Sequence, residues 1–425
     1  MNIRLLAAIT LTTMLASCNS NPPAGSAADL PAGSFAYDLA FLQRHDSVII
    51  LRDGDARVVV SPKYQGKVFT STATGDAGPS FGWIHYKAFD GPADPHMNAY
   101  GGENRLWLGP EGGKFSLFFP PGAKMEFANW KTPAAFDTEP WTLVAADEHG
   151  VALEKQLSLT NYAGTPLSIG IGRVISILDR AAIDTTLSLA ADTSIHAVGY
   201  RTVNTLTNIG ANAWTESTGM PCLWLLDMFN PSPATTIVIP YGGGAKTGGP
   251  KNGGGVKPGG DTTKPATTDY FGEIAADRIS YADNILFFKA DGKSRGKLGI
   301  HPRRAKPVAG AYDAQHHVLT ITLFDTDIAA RYLNQEWNTT KPPFSGDAVN
   351  AYNDGPLADG SQMGPFFELE SVSPAAFLAP KQSQTHTHAV FHFTGPEASL
   401  DAISRKVLGV SLEKIKGVFA GGGQR

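Results

Sequence analysis

The chain is a succession of short apolar runs cut by turn residues, and this pattern limits its fold more than any other feature. Ser47–Leu51, Arg57–Ser61 and Lys67–Thr72 read as strands separated by Asp-Gly and Gln-Gly turns. Lys114–Phe119, Trp141–Ala146, Ala152–Thr160 and Leu167–Leu178 follow, then Thr235–Pro240, Asn284–Lys289, Val318–Phe324, Phe366–Val372 and Thr385–Phe393. Helical periodicity emerges only at the end, where Leu400, Ile403 and Val407 share a helical face after a Pro396-Glu397 start. Gly (46 residues) and Pro (29) are abundant in the 425 residues and only 17% are charged, which disfavours a helical bundle. The 42% hydrophobic content excludes a disordered chain. The expected fold is mainly β: large antiparallel sheets and a short C-terminal helix.

Residues 1–17 carry one basic residue, Arg4, and an apolar run from Leu5 to Leu15. Leu15-Ala16-Ser17-Cys18 follows, the pattern of a lipoprotein signal peptide, in which Cys18 is lipidated and becomes the new N-terminus. The alternative is an ordinary secretory leader that happens to contain a cysteine. Lipidation implies a cell-envelope protein held to a membrane through Cys18, on the periplasmic side or the cell surface, with the outer membrane the expected site. Residues 18–34 then form a tether, 35–395 one large β domain, and 396–425 a C-terminal helix and tail. Cys222, the other cysteine, lies in an apolar stretch and reads as a buried small hydrophobe. The stretch 242–268 has ten glycines in 27 residues and reads as a surface insertion. It does not match a phosphate-binding loop. A formal charge of -4 argues against bulk attraction to nucleic acid, and losing Arg4 with the leader makes the balance more acidic.

Three constellations could carry chemistry. If Glu103–Leu108 is extended, Glu103, Arg105 and Trp107 share a face. An acceptor, a donor fork and an aromatic platform are what sugar hydroxyls and C–H faces require. A buried Glu–Arg pair beside a core Trp is the structural alternative. Asn353 and Asp354, in the turn Asn353-Asp354-Gly355-Pro356, precede a strand on which Glu368 and Glu370 share a face, ~7 Å apart. Like charges so close raise one pKa if both are buried, which suits a general acid or base; a solvated strand face is the alternative. His386, His388 and His392 face one way on the last strand, with Phe391 and Phe393 opposite. His386 and His388 could share a metal, although cleft-lining structural histidines are the plainer reading, and no cofactor is expected. His96 and His301 are candidate proton donors, and Arg303 and Arg304 disfavour protonation of His301.

At these residues a resemblance emerges. Gly101-Gly102-Glu103-Asn104-Arg105-Leu106-Trp107-Leu108-Gly109-Pro110 resembles an element of the galactose-mutarotase-like (aldose epimerase-like) superfamily. Phe367–Ser371 followed by Phe377-Leu378-Ala379-Pro380 is similar to its late strand and Pro turn, and Tyr200–Asn208 to its middle segment. Asn230-Pro231-Ser232-Pro233, Ala305-Lys306-Pro307 and Asn353-Asp354-Gly355-Pro356 resemble a bacterial exported-lipoprotein family of unknown function within that group. The resemblance implies a β-supersandwich with a sugar cleft on a concave face. It also implies Glu368 as catalytic base, with Glu370 as fallback, and Arg105 as a substrate contact. The usual acid histidine after the middle Thr-Asn is absent, since Ile209-Gly210 follow Asn208. The functional expectation is a carbohydrate-active enzyme working by acid–base chemistry in an epimerase-, lyase- or hydrolase-like reaction. A non-catalytic glycan-binding lipoprotein and a structural envelope protein are the alternatives.

The leader gives a first prediction. Cells fed labelled fatty acid should incorporate label into the wild-type chain and not into Cys18→Ser; an unlabelled wild type would overturn the lipoprotein reading.

Overall fold

In the computed structural model the described residues are 31–242 and 265–420. Cys18, the leader and almost all of the glycine-rich stretch lie outside them. Three antiparallel sheets contain all the named strands. The first is a three-stranded meander of β1 (Ile49–Asp53), β2 (Ala56–Ser61) and β3 (Lys67–Thr72). Helix α1 (Phe35–Gln43) packs its Phe35, Phe41 and Leu42 against Val59 and Phe69 of that sheet. The strand β4 (Arg105–Gly109) follows the short helix α2 (Tyr86–Asp90).

The middle of the chain builds the larger sheet. Its strands are β5 (Thr142–Ala146), β6 (Gly150–Thr160), β7 (Pro166–Leu178) and, past helix α3 (Arg180–Leu187), β8 (His196–Asn208). After β9 (Cys222–Phe229) come β10 (Thr235–Pro240), β11 (Ile279–Ala282) and β12 (Ile285–Lys289). Then follow β13 (Gly296–Ile300), β14 (Val308–Asp313), β15 (Val318–Phe324), β16 (Val349–Asn353), β17 (Phe367–Val372) and β18 (Ser383–Thr394). The ten-stranded sheet runs β11-β12-β10-β14-β15-β18-β8-β7-β6-β5, and the five-stranded sheet β13-β16-β17-β9-β4. The chain closes with helices α4 (Glu397–Val407) and α5 (Leu412–Gly417).

Alternation along β18 assigns the layers. Val390 joins the main core between the two large sheets, while Phe391 and Phe393 join a second core with Leu400, Ile403, Leu412 and Ile415 of α4 and α5. Among the described residues no helix is long and apolar enough to cross a membrane. One expected strand is absent: Lys114–Phe119 is a run of turns, because Phe115, Leu117 and Phe118 anchor a loop in the core without a neighbouring strand. In contrast, the apolar stretch around Cys222, read only as a buried run, is the strand β9, every residue of which is buried, Asp227 included.

A polar seam joins the large sheets. His386, His388 and His392 share one face of the strand as expected, but they are enclosed between the sheets rather than lining a cleft. His388 Nε2–H donates to Asp227 Oδ2 at 2.7 Å, and its Nδ1 accepts from Ser371 Oγ at 2.8 Å. His386 Nε2 donates to the same Ser371 oxygen, also at 2.8 Å. Burial, then the neighbouring His388, pulls His386 down to about 3, so it is neutral. These nitrogens are engaged by protein groups, and no cluster of three or more His, Cys, Asp or Glu placed to hold a metal occurs among the described residues. Ser371, His388 and Asp227 form a serine–histidine–aspartate chain, yet all three are sealed from solvent, so no substrate reaches the serine. Asp227 Oδ1 accepts from Asn104 Nδ2 at 2.5 Å, and Arg173, buried in the opposite sheet, donates to Asn204 Oδ1 at 2.7 Å and to Asn104 Oδ1.

Asp227 thus serves two partners, His388 on β18 and Asn104 in the turn just before β4. Asp227→Ala leaves His388 and Asn104 with unmet buried donors and should destabilise the fold by about 2–4 kcal/mol. Urea unfolding measures this, and an unchanged midpoint would show the seam to be energetically idle.

Candidate functional site

The outer face of the five-stranded sheet floors a cleft of about 590 Å³. Register sets out its floor. One row across the sheet reads Lys297, Tyr352, Glu368 and Met228; the next carries Asn350, Glu370, Leu226 and Arg105. The third pairs Trp224 with Trp107. Two ion pairs cross between the first two rows. Arg105 reaches from the row of Glu370 to bond Glu368 Oε1. Lys297 reaches from the row of Glu368 to Glu370 Oε2, at 3.0 Å. Each carboxylate is therefore neutralised by a cation from the opposite edge strand. Trp224 Nε1–H adds a 2.8 Å bond to Glu370 Oε2. Indoles also face both cations: the Arg105 guanidinium carbon is 5.1 Å from the Trp107 ring centre, and Lys297 Nζ is 4.6 Å from that of Trp224.

Glu368 is only 7% exposed, at the base of the cleft. Burial raises its carboxyl to about 7; Glu370 adds to the rise, while Arg105 and Lys297 oppose it. Burial alone would lower the Lys297 ammonium, but the charges of Glu370, Glu111 and Glu368 outweigh it and hold the pKa above its usual value. Behind Arg105, Lys67 donates to the Gly101 carbonyl at 3.1 Å; burial, then the charge of Arg105, lowers it to about 7.

The walls are aromatic and come from connections. Trp130 stacks on Trp337 at 5.9 Å and on Phe127 at 6.1 Å, and Phe127 stacks on His96 at 4.4 Å. His96 lines the cleft, and its Nδ1–H donates to the Trp130 carbonyl at 2.6 Å. Glu111 lines the same wall and accepts from Trp337 Nε1 at 3.0 Å. Its carboxyl is raised chiefly by burial and lowered by Lys297. Gly112 permits this contact: a Cβ there would lie 2.2 Å from the Glu336 carbonyl oxygen.

Four sequence-selected residues thus meet in one cleft: Glu368, Arg105, Trp107 and His96. Glu370 lies in the floor just behind Glu368, with its side chain fully covered. The others fall elsewhere. Glu103 does not share the face of Arg105, because the strand begins only at Arg105, after positive φ angles of 85° at Gly101 and 128° at Gly102. The turn sends Glu103 into the seam, where its Oε1 accepts from Ser71 Oγ at 2.7 Å and His392 Nε2 at 3.1 Å. Asn353 and Asp354 do not line the cleft. Asn353 braces a neighbouring turn through Gly292 N at 2.9 Å and the Ser294 carbonyl at 2.8 Å. Asp354 accepts from Tyr352 OH at 2.9 Å and Gly364 N at 2.8 Å. His301 follows the end of β13 and lines a separate hollow of about 300 Å³ with Arg303 and Arg331. Burial, then Arg303 and Arg304, lowers its pKa.

Sequence reasoning missed Lys297, Glu111, Tyr352, Trp224 and Trp337. Lys297 had a signal: a lone cation in Gly296-Lys297-Leu298-Gly299-Ile300, a strand otherwise apolar enough to be buried, needs an acidic partner. The two tryptophans had none: Trp224 lies inside an apolar run that gives no face, and Trp337 is placed by how a loop folds back over the sheet.

The architecture and site define an antiparallel two-layer β protein with a charged, aromatic-walled cleft on the outer face of its smaller sheet. The chain belongs to the Family of unknown function (DUF6786), whose family model matches residues 33–419. No curated protein sequence matches it. Among solved structures it is similar to the Slr1438 protein from Synechocystis sp. PCC 6803, with 13% identity, a TM-score of 0.48, and coverage of 83% of this chain and 96% of that one. It is also similar to a galactose mutarotase-like protein from Lactobacillus casei ATCC 334, with 10% identity, a TM-score of 0.46, and coverage of 81% and 100%. A galactose mutarotase related enzyme from Lactobacillus acidophilus shares 7% identity at a TM-score of 0.40, over 82% and 97% of the two chains.

The Glu368 environment predicts a pH signature. Its folded value, about 7, exceeds the ordinary 4.5, so the stability this carboxyl contributes is full below pH 4.5 and is lost as pH rises through 7. Wild type should therefore lose ground in urea midpoint to Glu368→Gln across that window and hold a constant difference above it. A difference independent of pH would return the carboxyl to its ordinary range.

Proposed function

We propose that this protein is a carbohydrate-active enzyme of the cell envelope, anchored through Cys18, in which Glu368 moves a proton to or from a sugar bound in the cleft. The observation that carries the reading is the Glu368 carboxyl, raised to about 7 at the base of an aromatic-walled cleft with Arg105 bonded to it. A carboxyl near neutrality can take a proton from one position and return it to another without a strong driving force either way. The exposed Phe127 ring offers a flat apolar face to sugar C–H groups, Trp107 and Trp224 back the Arg105 and Lys297 cations, and those cations offer donors to hydroxyl and ring oxygens. His96 Nε2 and Glu111 are the cleft groups available for a second proton transfer. The chemistry class is proton transfer at a saccharide, with epimerase-, lyase- and hydrolase-like outcomes all within reach of this set.

One observation favours binding without turnover. Arg105 and Lys297 already neutralise Glu368 and Glu370, and a permanently paired carboxylate makes a hydrogen-bonding floor rather than a base.

Incubating the protein with neutral and acidic oligosaccharides and reducing sugars, with product analysis, separates the two. Turnover is expected, and Glu368→Gln should lower it by about 10²–10⁴ while leaving affinity within a few-fold. Binding with no product from wild type would favour the capture reading. Full rate in Glu368→Gln would remove Glu368 from the chemistry.

A further inference from the structure

Large apolar side chains are exposed at the mouth of this cleft, and sheet order separates them into two groups. Phe127 is 61% exposed and Phe271 40% exposed, and both line the cleft. Phe127 belongs to the aromatic stack that rises over the β4 edge, linked through Trp130 and Phe118 to Trp107. Phe271 belongs to the other edge. It meets Tyr352 of β16 edge-on at 6.0 Å and carries the Arg295 guanidinium 4.2 Å from its ring centre, just before β13. Glu368 lies on β17, the central strand between them. Five strands spaced about 4.8 Å apart place the two edges roughly 19 Å from each other. That span exceeds one sugar ring and admits several rings end to end.

We infer that the cleft takes a chain of linked sugars, with Phe127 and the Phe271–Arg295 pair as outer stacking platforms on either side of Glu368. The inference rests on the saccharide reading above and adds the size of the ligand. A single sugar over Glu368 would leave both platforms wet, and water-exposed aromatic faces flanking a cleft mark a contact surface. Arg295 strengthens its platform: its planar guanidinium stacks on Phe271, leaving its edge donors for hydroxyl or carboxylate oxygens, and it has no carboxylate partner among the described residues. Leu357 and Met363, 46% and 37% exposed, extend the same apolar mouth.

The test measures affinity by calorimetry against size-graded neutral and uronate-containing oligosaccharides, from monosaccharide to hexasaccharide. Glu368→Gln is used so that ligands persist. Affinity should climb with length and then level off once both platforms are covered. Adding Phe127→Ala or Phe271→Ala should each weaken the longest ligand roughly tenfold, a stacking-sized effect. Ile328→Ala, an exposed apolar change at the separate hollow, is the control and should leave affinity unmoved. Affinity that is flat with length, or long-chain affinity indifferent to both phenylalanines, would overturn the inference while the saccharide reading stands. Failure of wild type and Glu368→Gln to bind any member of either series would overturn the saccharide reading itself.

Discussion

A sheet that buries acidic groups on both faces must find each of them a partner, and the five-stranded sheet of this protein does so by two different means. On its inner face Asp227 accepts hydrogen bonds from His388 and Asn104, carried by the apposed sheet and by the turn just before β4. On its outer face Glu368 and Glu370 are satisfied by full cations, Arg105 and Lys297, from the two edge strands of the same sheet. The contrast has a physical basis. A buried carboxylate ringed by hydrogen-bond donors is tolerated, whereas two carboxylates side by side repel each other unless positive charge lies within contact. The inner solution locks the layers together. The outer one leaves a carboxyl at the edge of solvent with a pKa far from its usual value.

The same alternation explains why the outer face reads as a site and the inner one does not. Ser371 and Glu370 are neighbours in sequence, yet one joins a sealed serine–histidine–aspartate chain and the other a cleft floor. Residue type alone would have chosen the triad. Access reverses that choice: the serine has no route to water, while Glu368, two residues before Glu370, opens into some 590 Å³.

Much of this was legible in the sequence, and the failures share a cause. Turn residues and period-two patterning marked most of the strands, and alternation correctly sorted His386, His388 and His392 from Phe391 and Phe393. Alternation also put Arg105, Trp107 and Glu368 forward, because those side chains sit inside regular strands. It failed for Glu103, where two glycines turn the backbone just before β4, and for Lys114–Phe119, whose apolar residues anchor a loop rather than a strand. Asn353 and Asp354 were attractive as polar groups near an acidic strand, but turn-forming residues commonly spend their hydrogen bonds on the turn itself. Trp130 and Trp337 depend on loop placement, which local pattern does not encode, whereas the lone Lys297 in an apolar strand was a signal that went unread.

The site is divided between two kinds of scaffold. Glu368 sits on the central strand of five, held on both sides by neighbouring strands, so its position is among the least adjustable in the molecule. Phe127, Trp130, Phe271 and Leu357 sit on connections outside the named strands, where insertions and substitutions are tolerated. Relatives built on this sheet can therefore change what the cleft admits by redrawing the rim alone, while the charged floor passes unaltered from one to the next.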